Sequence, residues 1–187
     1  MAAARSLPAI DELNRLSEDA FADAVAPLFE GARGFGEWLA TARPFASDDD
    51  LIARSREIAR TVPDEVKLEL VNAHPRIGGD RSRMSDFSRA EQGYEHAAAP
   101  GVDDEAWVAE ELAALNDAYE RRFGFRFVVF VAGRPRSELV GLIERAIYAD
   151  REEELRRAVD DCIHIAADRL ARLRGSGSSE RDANDVP

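Results

Sequence analysis

The chain has 187 residues, a formal net charge of -12, 45% apolar residues and 33% charged ones. That length supports one sizeable core without calling for a second domain. The acidic balance, with no basic run, excludes a nucleic-acid surface. No apolar run is long enough to span a bilayer, the amino terminus lacks the apolar block of a signal peptide, and the single Cys162 provides neither a disulfide nor a zinc pair. The expectation is a cytoplasmic protein with no membrane contact and no metal.

Taken in chain order, most segments carry the 3.6-residue period of apolar positions, which predicts an all-α, single-domain helical bundle. Ser17 is placed to cap a helix running to about Glu30, and Ser47 with Asp50 gives the next helix a box-like start before "LIARSREIAR". Pro63 suits the first turn of a third helix, with Leu68 and Val71 on its apolar face. From Val108 the positions Leu112, Leu115 and Tyr119 form one stripe, and from Leu155 the series Val159, Cys162, Ala166, Leu170 and Leu173 forms another. Between these two helices "FGFRFVVFV", residues 123–131, is short and rich in aromatic and β-branched residues, so it reads as a buried extended or irregular segment. The predicted domain is 1–174, followed by a polar Gly- and Ser-rich tail, 175–187, expected to be disordered.

The stretch "NAHPRIGGDRSRMSDFSRAEQG", residues 72–93, stands apart from this pattern. Pro75 pushes His74 out of the α region, so the preceding helix should stop at His74. The imidazole then sits at the negative end of the helix dipole, which favours its protonated form and suits a proton donor. Read blandly, "HPRIGG" is a helix stop with a cationic cap. Ser88 and Glu91 likewise fit a Ser-x-x-Glu capping box, and a helix start with free amides is also a natural place to hold polar ligand atoms.

These motifs together resemble the 2-oxo-4-hydroxy-4-carboxy-5-ureidoimidazoline (OHCU) decarboxylases of purine degradation. The resemblance covers roughly residues 7–173 and rests on several motifs in order. They are "LNRLSEDAFADAVAPLFEG" followed by "EWLATARPFAS", then "NAHPRIGG", "SRAEQG", "LNDAYERRFGFRFVVFVAGRP" and the closing "IHIAADRLARL".

The resemblance implies a cofactor-free loss of carbon dioxide from OHCU to give (S)-allantoin. The family's catalytic histidine matches His74, with Glu91 beside it in proton handling. Pro75, Ser88, Arg89, Ala90 and Gln92 match substrate contacts. So does the stretch Phe127, Val128, Val129, Phe130 and Val131, whose irregular backbone has N–H and C=O groups to offer. Arg169, on the last helix beside its apolar stripe, needs an anionic partner. The family likeness makes that partner a substrate oxygen or carboxylate; a pair with Glu91 or another acid is the alternative. His96 and His164 match no catalytic position. The resemblance also implies a homodimer with a small-molecule substrate. Two rival readings remain: a different ureido-acid decarboxylase or hydrolase on the same scaffold, and a non-catalytic helical binding module that tolerates loss of His74.

Overall fold

The computed structural model describes residues 7–80, 82, 84–92 and 102–183, with side chains over 106–175 of the last stretch. His96 lies outside these residues. Among them there are nine α-helices and no strand, in the order α1 (Ile10–Leu13), α2 (Glu18–Val25), α3 (Arg33–Ala40), α4 (Asp48–Thr61), α5 (Asp64–Ala73), α6 (Asp86–Glu91), α7 (Val102–Phe123), α8 (Arg136–Ala146) and α9 (Arg151–Ala183). The all-α reading of the sequence therefore holds.

The long helix α9 is the spine. α4, α5 and the short 3-10 turn Ala26–Phe29 pack on it, α3 packs on α2 and α5, and α7 pairs with α8. Its stripe Leu155, Val159, Cys162, Ala166 and Leu170 is buried, as the period requires. Beyond Gly175 the helix continues to Ala183, into the stretch whose composition predicts disorder. Adding a residue to a formed helix end gains one backbone bond without a new nucleus.

Local signals account for most boundaries. Ser17 Oγ accepts the Ala20 N–H at 3.3 Å and Ser47 Oγ accepts the Asp50 N–H at 3.1 Å, each satisfying one orphan donor. Asp50 reaches back to the Ala46 N–H at 2.9 Å, one residue before the Ser47 cap, so the start is box-like without the full reciprocal pair. The helix from Ser17 does not run on to Glu30. It ends at Val25, Pro27 falls in the 3-10 turn, and Glu30 takes the left-handed conformation, φ 51°. Proline fixes φ and removes a donor, so the α ladder cannot continue unbroken through this point. Pro63 is the residue just before α5 rather than a member of it.

The segment from Gly124 to Val131 has no regular structure and is largely buried, matching the expected exception. Phe125 and Phe127 pack edge-on against Tyr119 of α7, with centroids 5.7 and 5.2 Å away. The Tyr119 hydroxyl donates to Glu154 at 2.8 Å, and Glu154 also accepts from Arg157, whose Nη1 donates to the Val128 carbonyl at 2.9 Å. This buried network ties the irregular segment to α9, so a stretch without a ladder of its own still has fixed geometry.

Candidate active site

α5 ends where Pro75 requires. His74 has φ -68° and ψ 141°, outside the helical region, and its ring folds back over its own helix. Nδ1 lies 2.9 Å from the Leu70 carbonyl, which can only accept, so Nδ1 carries the hydrogen and Nε2 the lone pair. The Cys162 sulfur of α9 packs 3.6 Å from the same Nδ1. Nε2, on the opposite ring edge, has no hydrogen-bond partner among the described residues.

His74 is only 3% exposed. Burial, reinforced by the nearby Arg169 charge, pushes its pKa from the ordinary 6.5 down to about 4, against the opposing pull of the Leu70 carbonyl and Glu30. The structure therefore corrects the expectation of a protonated histidine favoured by the helix dipole. Desolvation of a buried ring outweighs a terminal dipole worth well under about 2 kcal/mol. Burial thus favours the neutral ring at neutral pH, and the Leu70 contact sets its tautomer.

Around it lies a cavity of about 690 Å³. Its walls include His74, Pro75, Ser88, Ala90, Glu91, Gln92 and Val128–Val131, so the structure brings together most of the residues singled out from sequence. Arg89 and Phe127 are set back from this wall. Arg89 is engaged with Asp86 and the Met84 carbonyl, and Phe127 is core. His164 is half exposed and its ring sits 6.2 Å from that of Phe130.

The capping-box reading of Ser88 and Glu91 is corrected. α6 starts three residues earlier, and the cap is Ser85, whose Oγ accepts the Ser88 N–H at 3.1 Å. Only Ser88 has the glutamate three residues on that the pattern requires, but Ser85 caps the helix with its hydroxyl alone, a signal the pattern does not carry. Ser88 is thereby freed to donate its hydroxyl to Glu30, as Ser85 also does at 2.8 Å.

Arg169 closes the cluster. It is fully buried; Nε donates to Glu91 Oε1 at 2.6 Å, and Nη2 donates to Glu91 Oε2 at 2.8 Å and Glu30 Oε1 at 2.7 Å. Nη1 donates to the Pro27 carbonyl at 3.2 Å. The anionic partner its position demands is thus supplied by two carboxylates of the chain itself. Their environments push them apart. Burial raises Glu91 above the ordinary carboxylate range in spite of the Arg169 contact. At Glu30 burial also raises the pKa, but the Arg169 charge and the Ser88 and Ser85 hydroxyls outweigh it and leave the group below its ordinary value.

Two further expectations change. The carbonyls of the irregular segment are not all open to a ligand: Val128 is held by Arg157, and Phe130 and Val131 by Arg134. Gln92 is buried with its amide across the loop after His74, accepting the Gly78 N–H at 3.0 Å and donating to the Arg76 carbonyl at 3.4 Å. Gly78, at φ 74°, sits where a Cβ would come within 3.1 Å of Leu112 and Arg136, which accounts for a glycine in this turn. Asn116 fixes the same loop by donating to the Ile77 carbonyl at 2.9 Å. Sequence reasoning missed Glu30 as a site residue. Its only signal was the Phe-Glu pair in "LFEG".

Fold and site define a helical domain whose pocket is walled by a buried imidazole and by Glu91, which a buried arginine behind the wall ties to a second acid, Glu30. The chain matches the family model for OHCU decarboxylase over residues 14–171, and it belongs to that family. An OHCU decarboxylase of Haloferax volcanii is 33% identical over 162 residues, covering 87% of this chain and 94% of the relative. The uric acid degradation bifunctional protein PucL of Bacillus subtilis is 31% identical over 162 residues, 87% of this chain but 32% of that longer protein. A crystal structure of OHCU decarboxylase in the presence of (S)-allantoin superimposes with a TM-score of 0.64 at 24% identity, covering 81% of this chain and 96% of that one, which establishes a shared fold.

Proposed function

We propose that this chain decarboxylates OHCU to (S)-allantoin, with the helical domain of residues 1–174 as the catalytic unit. The observation that carries the reading is the neutral His74, its Nε2 lone pair without a partner among the described residues, in the wall of a cavity that also presents Glu91. In OHCU one ring carbon bears both a hydroxyl and the carboxylate, next to a carbon-nitrogen double bond. When the carboxylate leaves as carbon dioxide, its electron pair moves toward that double bond. The ring nitrogen takes the single proton the overall reaction consumes. His74 accepts the hydroxyl proton at Nε2 as the carbonyl forms and returns it to the neighbouring carbon, on the face the ring occupies. A base held in one tautomer and one orientation delivers to one face, which accounts for a single hand of product. Pro75, Ser88, Ala90 and Val128–Val131 shape the wall against which the substrate lies, and Arg169 holds Glu91 in place. Arg89 and Phe127 support this wall from behind.

The test is to generate OHCU freshly from urate and follow dichroism of the product. Rapid appearance of (S)-allantoin supports the reading, and a rate no greater than without protein sinks it. The pH profile is a second check. Because His74 works in its neutral form and its pKa lies near 4, kcat/KM should stay level as pH falls through 6.5 and drop only toward 4. Stability should follow the same sign. The unfolded histidine gains its proton near 6.5 and the folded one does not, so His74 lowers stability progressively as pH falls from 6.5 to about 4. A kinetic limb near 6.5, with the fold intact by far-ultraviolet dichroism, would mean that His74 is not the base. The family likeness also carries the expectations of a homodimer and a cytoplasmic location, which light scattering and cell fractionation test.

A further inference from the structure

Building on the decarboxylase reading, we propose that Arg134, and not Arg169, binds the carboxylate that OHCU loses. The substrate is an anion approaching a chain of net charge -12, so it needs a local cation. Arg169 is a poor source, since every nitrogen of its guanidinium already donates within the chain and two carboxylates offset its one charge. Nor does it line the cavity, whose wall holds Arg134, Arg136 and Arg172; of these Arg172 lies 2.7 Å from Asp168, and Arg136 holds its Nη2 beside the Gly78 turn.

Arg134 differs in the kind of partner it has. Its backbone N–H and Nε donate to the Val131 carbonyl at 3.0 and 2.9 Å, and Nη2 donates to the Phe130 carbonyl. These acceptors are neutral. They orient the guanidinium on the cavity wall without offsetting its charge, so the positive end is pre-organised for an anion. Such a contact acts mainly on the bound substrate, because the charge disappears as carbon dioxide forms. Its loss should therefore appear in KM and leave kcat level or slightly raised.

The test compares Arg134→Gln, Arg134→Lys and Arg136→Gln with the parent enzyme on fresh OHCU, together with inhibition by allantoin, which lacks the carboxylate. Arg134→Gln should raise KM about tenfold, the worth of one charge-assisted hydrogen bond, with the allantoin inhibition constant unchanged and partial rescue by lysine. A parallel rise in the allantoin constant, or a fall in kcat together with melting temperature, would make Arg134 a support for the Phe130–Val131 backbone and overturn the proposal. An effect on KM from Arg136→Gln in place of Arg134→Gln would overturn it as well. Failure of the decarboxylase reading itself would show separately, as a parent protein that forms no allantoin.

Discussion

Replacing Arg169 with methionine is expected to destabilise the fold by about 3 to 5 kcal/mol, the usual consequence of removing one partner from a buried ionic cluster. The change leaves Glu30 and Glu91, both largely buried, without the guanidinium that lies 2.7 and 2.6 Å from them. It also strips the Ser88 and Pro27 oxygens of a donor. The pH dependence identifies the cause. Without the arginine both carboxyls take protons more readily when folded than when unfolded, so the variant's deficit relative to the parent should be smallest at acid pH and grow as pH rises through their raised values. Urea unfolding at pH 5 and pH 8 measures this. Parent-like stability at both pH values, with only substrate use impaired, would show that the side chain meets substrate and that the acids manage without it.

That expectation differs from the one sequence alone supports, and the difference shows what was legible. An arginine beside an apolar stripe announces that it needs an anion, but not which one. Glu91 was one of the named candidates. Glu30 reaches the cluster only because the chain breaks at Pro27 and turns through a left-handed residue, and neither event follows from helical periodicity. Ser88 was placed at the site on family likeness, with the wrong local job, since its hydrogen bond to Glu30 crosses between distant segments. Pro75 made the stop at His74 readable because the restriction it imposes is local. The charge state of His74 was not readable, because it depends on burial beneath α9 and on a cation far along the chain. The irregular segment was visible by composition from 123 to 131, although Phe123 itself closes α7, whereas the arginines that occupy its carbonyls come from α9 and from the turn after Val131.

Replacing His74 with asparagine should remove most catalysis, by roughly a hundredfold to ten-thousandfold, the range typical of a lost general acid-base group. Asparagine keeps a polar side chain before Pro75 and leaves the helix stop to the proline. It cannot accept a proton at neutral pH. The fold should therefore survive, and the unsatisfied buried nitrogen is removed with the ring. Product handedness carries the sharper expectation. Substrate that still loses carbon dioxide in the variant takes its proton from water on either face, so rate and chirality should fall together. Absorbance follows the disappearance of OHCU and dichroism follows only handed product, so one sample yields both quantities. Formation of (S)-allantoin at close to the parent rate would reduce His74 to a helix terminator and pass the proton transfer to Glu91, whose raised pKa and place in the same cavity make it the next candidate.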